Sequence, residues 1–215
     1  MQLNLTLRSR LSLGQTRRSG AFEQLSEQVE ARDHTAHHSR RVRRIALAVA
    51  TELGLQAGKL AAVGQAALFH DIGKLSVPDE ILLKPAGLTA KEWELMRCHS
   101  DEGARMLEAV GLFVEAVPAI RHHHERFDGT GYPAGLAGED IPLAARIVHV
   151  ADALDSMLTT RVYRPGRSPE EAMAEVRRGA GSQFCPSCVG ALERTVASGK
   201  LADLGLGEPS LAPAR

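Results

Sequence analysis

Apolar residues in this chain recur at every third or fourth position, and no stretch alternates convincingly. Val42, Ile45 and Val49 follow that spacing, and Leu60, Val63, Ala67 and Leu68 repeat it after a short break. This is the period of a helix with one buried face, and a chain without period-two runs has no strand to place in a sheet. Thr89 with Glu92 matches a reciprocal N-terminal cap and opens a long third helix. Its stripe of Trp93, Met96, Met106, Leu107 and Val110 is expected in the core, with Gly103 permitting close approach. Pro142 begins another helix, with Ile147, Val150, Leu154, Met157 and Leu158 inward. Ser168, Pro169 and Glu171 announce one more, and Pro186 to Ser198 forms a last helix closed by Gly199. The glycine-rich segment FDGTGYPAGLAGED, 127 to 140, is a loop between helices. The fold class predicted is all-α, a helical bundle.

At 215 residues and 44% hydrophobic content, one substantial core is expected. Residues 1–22 read as a flexible N-terminal extension, 23–200 as the domain and 201–215 as a flexible tail. Lys plus Arg and Asp plus Glu are both 26, so bulk charge draws the chain neither to nucleic acid nor to an anionic membrane surface. No apolar run approaches the roughly 20 residues of a membrane span, and the first residues lack the apolar centre of a secretory signal. A cytoplasmic protein with no membrane insertion is expected. Three cysteines against nine histidines argue against a disulfide framework.

The chemistry concentrates in His and Asp. His70 and Asp71 are adjacent at the end of an apolar helical stretch, where an imidazole and a carboxylate can face one cation. His38, His99, the doublet His123 and His124, and Asp152 supply further donors from separate helices. Asp152 lies among Val148, Val150, Ala151 and Leu154, where a carboxylate is costly unless paired or metal-bound. Neighbouring helical side chains diverge by about 100°, so His123 and His124 are expected on two different ions. Two ions suit in-line displacement at phosphorus, which makes phosphodiester hydrolysis the natural chemistry.

The ordered segments HSRRV (38 to 42), HDIGK (70 to 74), VPDEILLKPAGLT (77 to 89), His99, HHERFDGTGYP (123 to 133) and ADALDSMLTTRVYR (151 to 164) closely resemble HD-GYP domains. The resemblance spans about residues 23 to 198 and includes equal intervals of 29 residues from His70 to His99 and from His123 to Asp152. It implies an HD-superfamily helical bundle with a Gly-rich GYP loop. It further implies a metal site of His38, His70, Asp71, His99, His123, His124 and Asp152, with Asp71 shared between ions. The implied activity is hydrolysis of cyclic di-GMP to linear pGpG, GMP or both, with Asp71 and Lys74 catalytic. Lys74, Tyr132, Arg161 and Arg164 would then contact substrate, Lys74 at a phosphate oxygen and the arginines through paired bonds. Two divalent ions, Fe or Mn preferred, are expected as cofactors. A GGDEF-type signalling protein on the GYP loop and a second copy of the chain are the partner expectations. Another cyclic dinucleotide as substrate, or a weakly active metal- and nucleotide-binding interaction module, are the alternatives.

Some positions depart from the family pattern. His34 stands where some members carry a Glu that helps to hold a third ion, which favours two ions over three, with His34 an alternative ligand. Thr160 and Val162 replace the usual acidic residue and proline beside Arg161. Cys185 takes an Asp position at a helix start, where a thiol caps poorly, and its CxxC spacing with Cys188 reads as ordinary helix-start residues. Cys98 is expected as a small core or flanking residue, and His37 and His122 as solvated. Glu125 and Asp128 are open between orienting the histidines and serving a turn or cap.

Overall fold

A computed structural model describes residues 20–160 and 165–200. Arg161, Val162 and Arg164 lie outside the described residues. So does most of each expected terminal segment. Ten α-helices carry the described fold: α1 (20–32), α2 (His38–Glu52), α3 (Ala57–Phe69), α4 (Asp79–Leu82), α5 (Ala90–Arg97), α6 (His99–Val110), α7 (Val117–His122), α8 (Leu143–Leu158), α9 (Pro169–Arg178) and α10 (Pro186–Ala197). A 3-10 turn, Ile72–Ser76, follows α3. Among the described residues there is no strand, only a single bridge between Ala180 and Phe184. No described helix is long and apolar enough to cross a membrane.

Helices α2, α3 and α8 pack on one another, with α10 against α2 and α7 against α3 and α8. The inward stripes are those of the sequence period: Val42, Ile45 and Val49 on α2, Val63 and Ala67 on α3, and Ile147, Val150 and Leu154 on α8 are all fully buried. Small residues let α3 and α8 approach, while Phe69, Ile72 and Leu107 fill the centre. The core reaches further toward the N-terminus than expected, because α1 starts at residue 20 and Phe22 meets Phe69 edge to face at 6.4 Å.

Both predicted capping boxes form. Thr89 Oγ1 accepts from the Glu92 amide while Glu92 accepts from the Thr89 amide, and Ser168 and Glu171 do the same at α9. Cys185 is the N-cap of α10 and makes no side-chain cap bond. Gly199 closes α10 at φ +75°.

The long third helix does not form as one piece. It breaks at Cys98 into α5 and α6. His99 turns its Nδ1 back onto the Met96 carbonyl at 2.7 Å, and a side chain inserted at the carbonyl ladder bends a helix at that point. The expected core stripe is therefore split. Leu107 is buried on α6, but Trp93 is 45% exposed, Val110 faces solvent and α5 buries no residue. Cys98 at the joint is exposed rather than in the core.

Candidate metal centre and its rim

The break at Cys98 positions the site. It swings His99 inward beside the 3-10 turn, where Gly73 lies against the backbone of α6. A Cβ on Gly73 would fall 1.8 Å from the His99 carbonyl oxygen, so only glycine permits this approach. The C-terminal end of α3 then delivers His70 and Asp71, α2 delivers His38, α8 delivers Asp152, and the end of α7 delivers His123 and His124.

All seven residues converge in one cluster. One ligand atom each of His38, His70 and Asp71 lies within 4.8 Å of the others, and His99, His123 and His124 form a second such group. Asp71 joins the two, with Oδ2 3.4 Å from His70 Nε2 and Oδ1 3.5 Å from His99 Nε2. Asp152 Oδ1 is 3.2 Å from His38 Nε2 and 4.0 Å from His70 Nε2. His123 and His124 do not diverge as expected: His123 caps α7 in a helical conformation, yet the two rings lie 4.0 Å apart in one group with His99.

The histidines are oriented as cation ligands. Nδ1 of His70 donates to the Ala67 carbonyl at 2.8 Å, that of His99 to Met96, and that of His123 to Ile120 at 2.6 Å. A carbonyl only accepts, so the proton sits on Nδ1 and each Nε2 lone pair faces the cluster. His70 Nε2 is buried without a hydrogen-bond partner, and His99 Nε2 faces His123 Nε2 at 3.4 Å. Converging lone pairs at this spacing call for a positive centre between them, so the residues fit a divalent metal.

The electrostatics agree with that reading. Burial, reinforced by the neighbouring histidines, holds His123 and His124 well below the ordinary histidine pKa, in the neutral form that a ligand needs. Burial opposes the ionised form of Asp71, but Lys74 and the surrounding histidines outweigh it and keep the carboxyl ionised. Asp152 is likewise held low against burial by His38. His38 is the exception: against burial, its bonds to Asp152 and Asp155 lift it to about 10, and a metal at Nε2 would have to displace that proton.

Three supporting residues escaped the sequence. Asp155 is fully buried and accepts from His38 Nδ1 at 2.7 Å and Arg41 Nε at 2.7 Å, so it orients the His38 ring from behind. Asp33 accepts from Lys74 Nζ at 2.6 Å, and Asp71 lies 2.9 Å from the same ammonium. His149, buried on α8, donates from Nδ1 to the Glu125 carbonyl at 2.9 Å. Asp155 lies one helical turn from Asp152, a weak signal that its apolar neighbours Leu154 and Met157 strengthen. Asp33 carries no pattern that separates it from surface residues, whereas His149, between Val148 and Val150, carries the same signal that singles out Asp152.

Glu125 serves the turn rather than orienting a ligand histidine. Its Oε1 accepts from the Ala134 amide at 2.7 Å and its Oε2 from the Leu136 amide at 3.1 Å, clamping the loop after the cis Tyr132–Pro133 bond. His122 is part-buried, with Nδ1 3.4 Å from Glu125, and is not simply solvated. Asp128 is a turn residue, accepting from the Thr130 amide at 3.0 Å and from Arg126. Tyr132 stacks on His124 with centroids 4.9 Å apart and forms part of the rim. His34 and His37 are exposed, both at positive φ, and belong to neither ligand group. Thr160 is exposed, and its Oγ1 accepts from the Gly166 amide. Cys185 and Cys188 are buried free thiols. The bond from Cys188, opposed by burial, holds the Cys185 thiol below its usual range.

The HD domain family model matches residues 23–188. This chain belongs to the HD domain family. With its HDIGK and GYP segments it is of the HD-GYP type. It is 41% identical over 177 residues to the cyclic di-GMP phosphodiesterase response regulator RpfG of Xanthomonas campestris, covering 80% of this chain and 47% of that protein. A cyclic di-GMP phosphodiesterase of Thermotoga maritima is 40% identical over 164 residues, covering 74% of this chain and 44% of that one. The HD-GYP chain thus spans somewhat under half the length of these curated relatives. The fold is similar to that of a crystal structure of a cyclic GMP-AMP-specific phosphodiesterase of Vibrio cholerae, with a TM-score of 0.66 at 21% identity, over 85% of this chain and 50% of the other.

Proposed function

We propose that this HD-GYP chain is a cytoplasmic, metal-dependent phosphodiesterase that hydrolyses cyclic di-GMP to linear pGpG, GMP or both. The observation that carries the reading is the pair of ligand groups joined by Asp71, with the lone pair of His70 Nε2 buried and unpartnered inside. The similarity to proteins named cyclic di-GMP phosphodiesterases supports the substrate.

His38, His70, Asp71, His99, His123, His124 and Asp152 would hold two divalent ions, Fe or Mn preferred. Such ions, when bound, activate water near neutral pH and neutralise charge on a phosphodiester. The chain's own groups do the rest. Asp155 and the three backbone carbonyls hold the imidazoles in one tautomer, which removes reorganisation from the reaction. Lys74 Nζ is kept protonated against burial by Asp71 and Asp33. In the reaction it exchanges Asp33 for a non-bridging phosphate oxygen, stabilising charge that grows in the transition state. Tyr132 walls the cleft beside His124. Arg161 and Arg164 are assigned to the substrate's second phosphate or guanine. Docking of a GGDEF-type protein on the GYP loop, and dimerisation, belong to the same reading.

Metal analysis of freshly purified protein, coupled to chromatography of the products from cyclic di-GMP, tests it. The expected result is two equivalents of divalent metal with pGpG or GMP formed. Full turnover by metal-free D71A protein would sink the proposal.

A further inference from the structure

Helix α5 buries no residue, yet it carries Trp93, the single tryptophan of the chain, at 45% exposure. Its last residue is Arg97, one helical turn on, so the two side chains share a face. The Arg97 guanidinium lies over both the Trp93 ring, at 5.9 Å, and the Tyr132 ring, at 5.3 Å. Tyr132 in turn stacks on His124, which belongs to the ligand group. Trp93, Arg97, Tyr132 and His124 thus form a column leading from the surface to the metal centre. Tyr132 lies within electrostatic reach of Asp71, Asp152 and Lys74 as well as of Arg97.

Arg97 differs from the other arginines around the site. Arg41 is bonded to Asp155, Arg32 to Asp79 and Arg126 to Asp128. Arg97 has no carboxylate or carbonyl partner among the described residues, and its contacts there are two ring faces. Cation–π contact fixes the plane of the guanidinium without using its N–H donors. A planar fork of donors, braced on rings and exposed at its edge, is suited to a planar acceptor pair. Guanine presents such a pair in O6 and N7, whereas adenine replaces O6 with a donating amino group. The stacking distances put the guanidinium within about 10 Å of the His124 ring, which matches the reach of one nucleotide from its phosphate to the far edge of its base.

We propose that Arg97, braced by Trp93 and Tyr132, reads the O6 and N7 edge of a guanine in the bound cyclic dinucleotide and so sets base specificity. This rests on the phosphodiesterase reading above and names a specificity residue within it.

The test compares wild type, R97Q, R97M and W93A as the full metal-loaded chain. Steady-state cleavage and calorimetric binding are measured with cyclic di-GMP and cyclic di-AMP in parallel. Glutamine can bond the N6 and N7 edge of adenine in the paired way that arginine bonds guanine. R97Q is therefore expected to lower the preference for cyclic di-GMP over cyclic di-AMP by about tenfold or more, the size of one paired base contact. R97M should lose cyclic di-GMP affinity selectively, and W93A should raise KM for cyclic di-GMP by a few-fold with kcat held. An unchanged preference in R97Q, or an equal loss on both substrates, overturns the proposal; the second outcome would assign Arg97 to a phosphate. A wild-type chain that neither binds nor cleaves cyclic di-GMP ends the underlying reading and this inference with it. Wild-type activity with unaltered R97Q preference ends the inference alone.

Discussion

Helices α8 and α5 both lead to the histidine cluster, and they are built by opposite means. Helix α8 is a core element, with Ile147, Val148, Val150 and Leu154 fully buried, and it presents Asp152 and Asp155 from a rigid wall. Helix α5 buries nothing and is held by its capping box, by Lys84 on Glu92 at 2.6 Å, and by Arg97 over Tyr132. Ligands that must meet a cation to within a few tenths of an ångström belong on the first kind of support. Groups that meet a substrate entering from solvent can stand on the second, where opening is inexpensive. Inner and outer regions should therefore fail differently: the first by losing metal and stability, the second by losing recognition alone.

The largest effect is expected at the centre. D71A removes the carboxylate that touches both ligand groups, so metal content should fall, with a loss of about a thousandfold or more in kcat/KM, read by elemental analysis and product chromatography. One layer out, D155A frees the His38 ring and leaves Arg41 without its buried partner. Metal affinity should drop about 10- to 100-fold, measured by competition with a chelating dye. At the border between the two regions, E125A leaves the Ala134 and Leu136 amides without acceptors. That should cost about 3 kcal/mol and lower Tm by about 5–10 °C in a thermal melt, and an unshifted Tm would show that the loop holds without its clamp.

On the rim the pattern should invert. W93A removes an exposed ring, so folding stability should stay within about 0.5 kcal/mol in denaturant titration, while affinity for cyclic di-GMP weakens. A destabilised W93A would erase the contrast between α5 and α8. The smallest effect concerns pH. Bonding from Lys84, then from Thr89, lowers the Glu92 carboxyl from 4.5 to about 2. A folded value below the unfolded one means that this contribution is complete above about 4.5 and is lost as pH falls through about 2. Trp93 fluorescence should report α5 loosening over that window, and E92Q should lack this component.

Much of the inner region was legible because its constraints are local or chemical. Val42, Ile45 and Val49 declare their helix by spacing, and Thr89 and Ser168 announce their caps through the glutamate three residues on. His70, Asp71 and Asp152 stood out because polar groups among apolar neighbours need a reason to be there, and the resemblance to HD-GYP domains joined His38, His99, His123 and His124 to them. What stayed hidden depends on contacts between distant segments. Asp155 acquires its role only when α2 brings His38 beside it, 117 residues away in the chain. Asp33 matters only because Lys74 reaches it from the 3-10 turn. The exposure of Trp93 could not be read either, since an apolar period continues through Cys98 whether or not the helix does.

The sequence by itself determined that this chain is helical with histidine and aspartate donors on separate helices, because side-chain period, capping chemistry and ligand type are properties of neighbouring residues; its ordered motifs added the resemblance to HD-GYP domains. Tertiary structure alone decided that His123 and His124 turn together past the end of α7, that Glu125 clamps the GYP loop, and that Arg97 stands between two rings. Each of these depends on where one backbone segment stops and another passes, and that is settled by packing across the whole molecule.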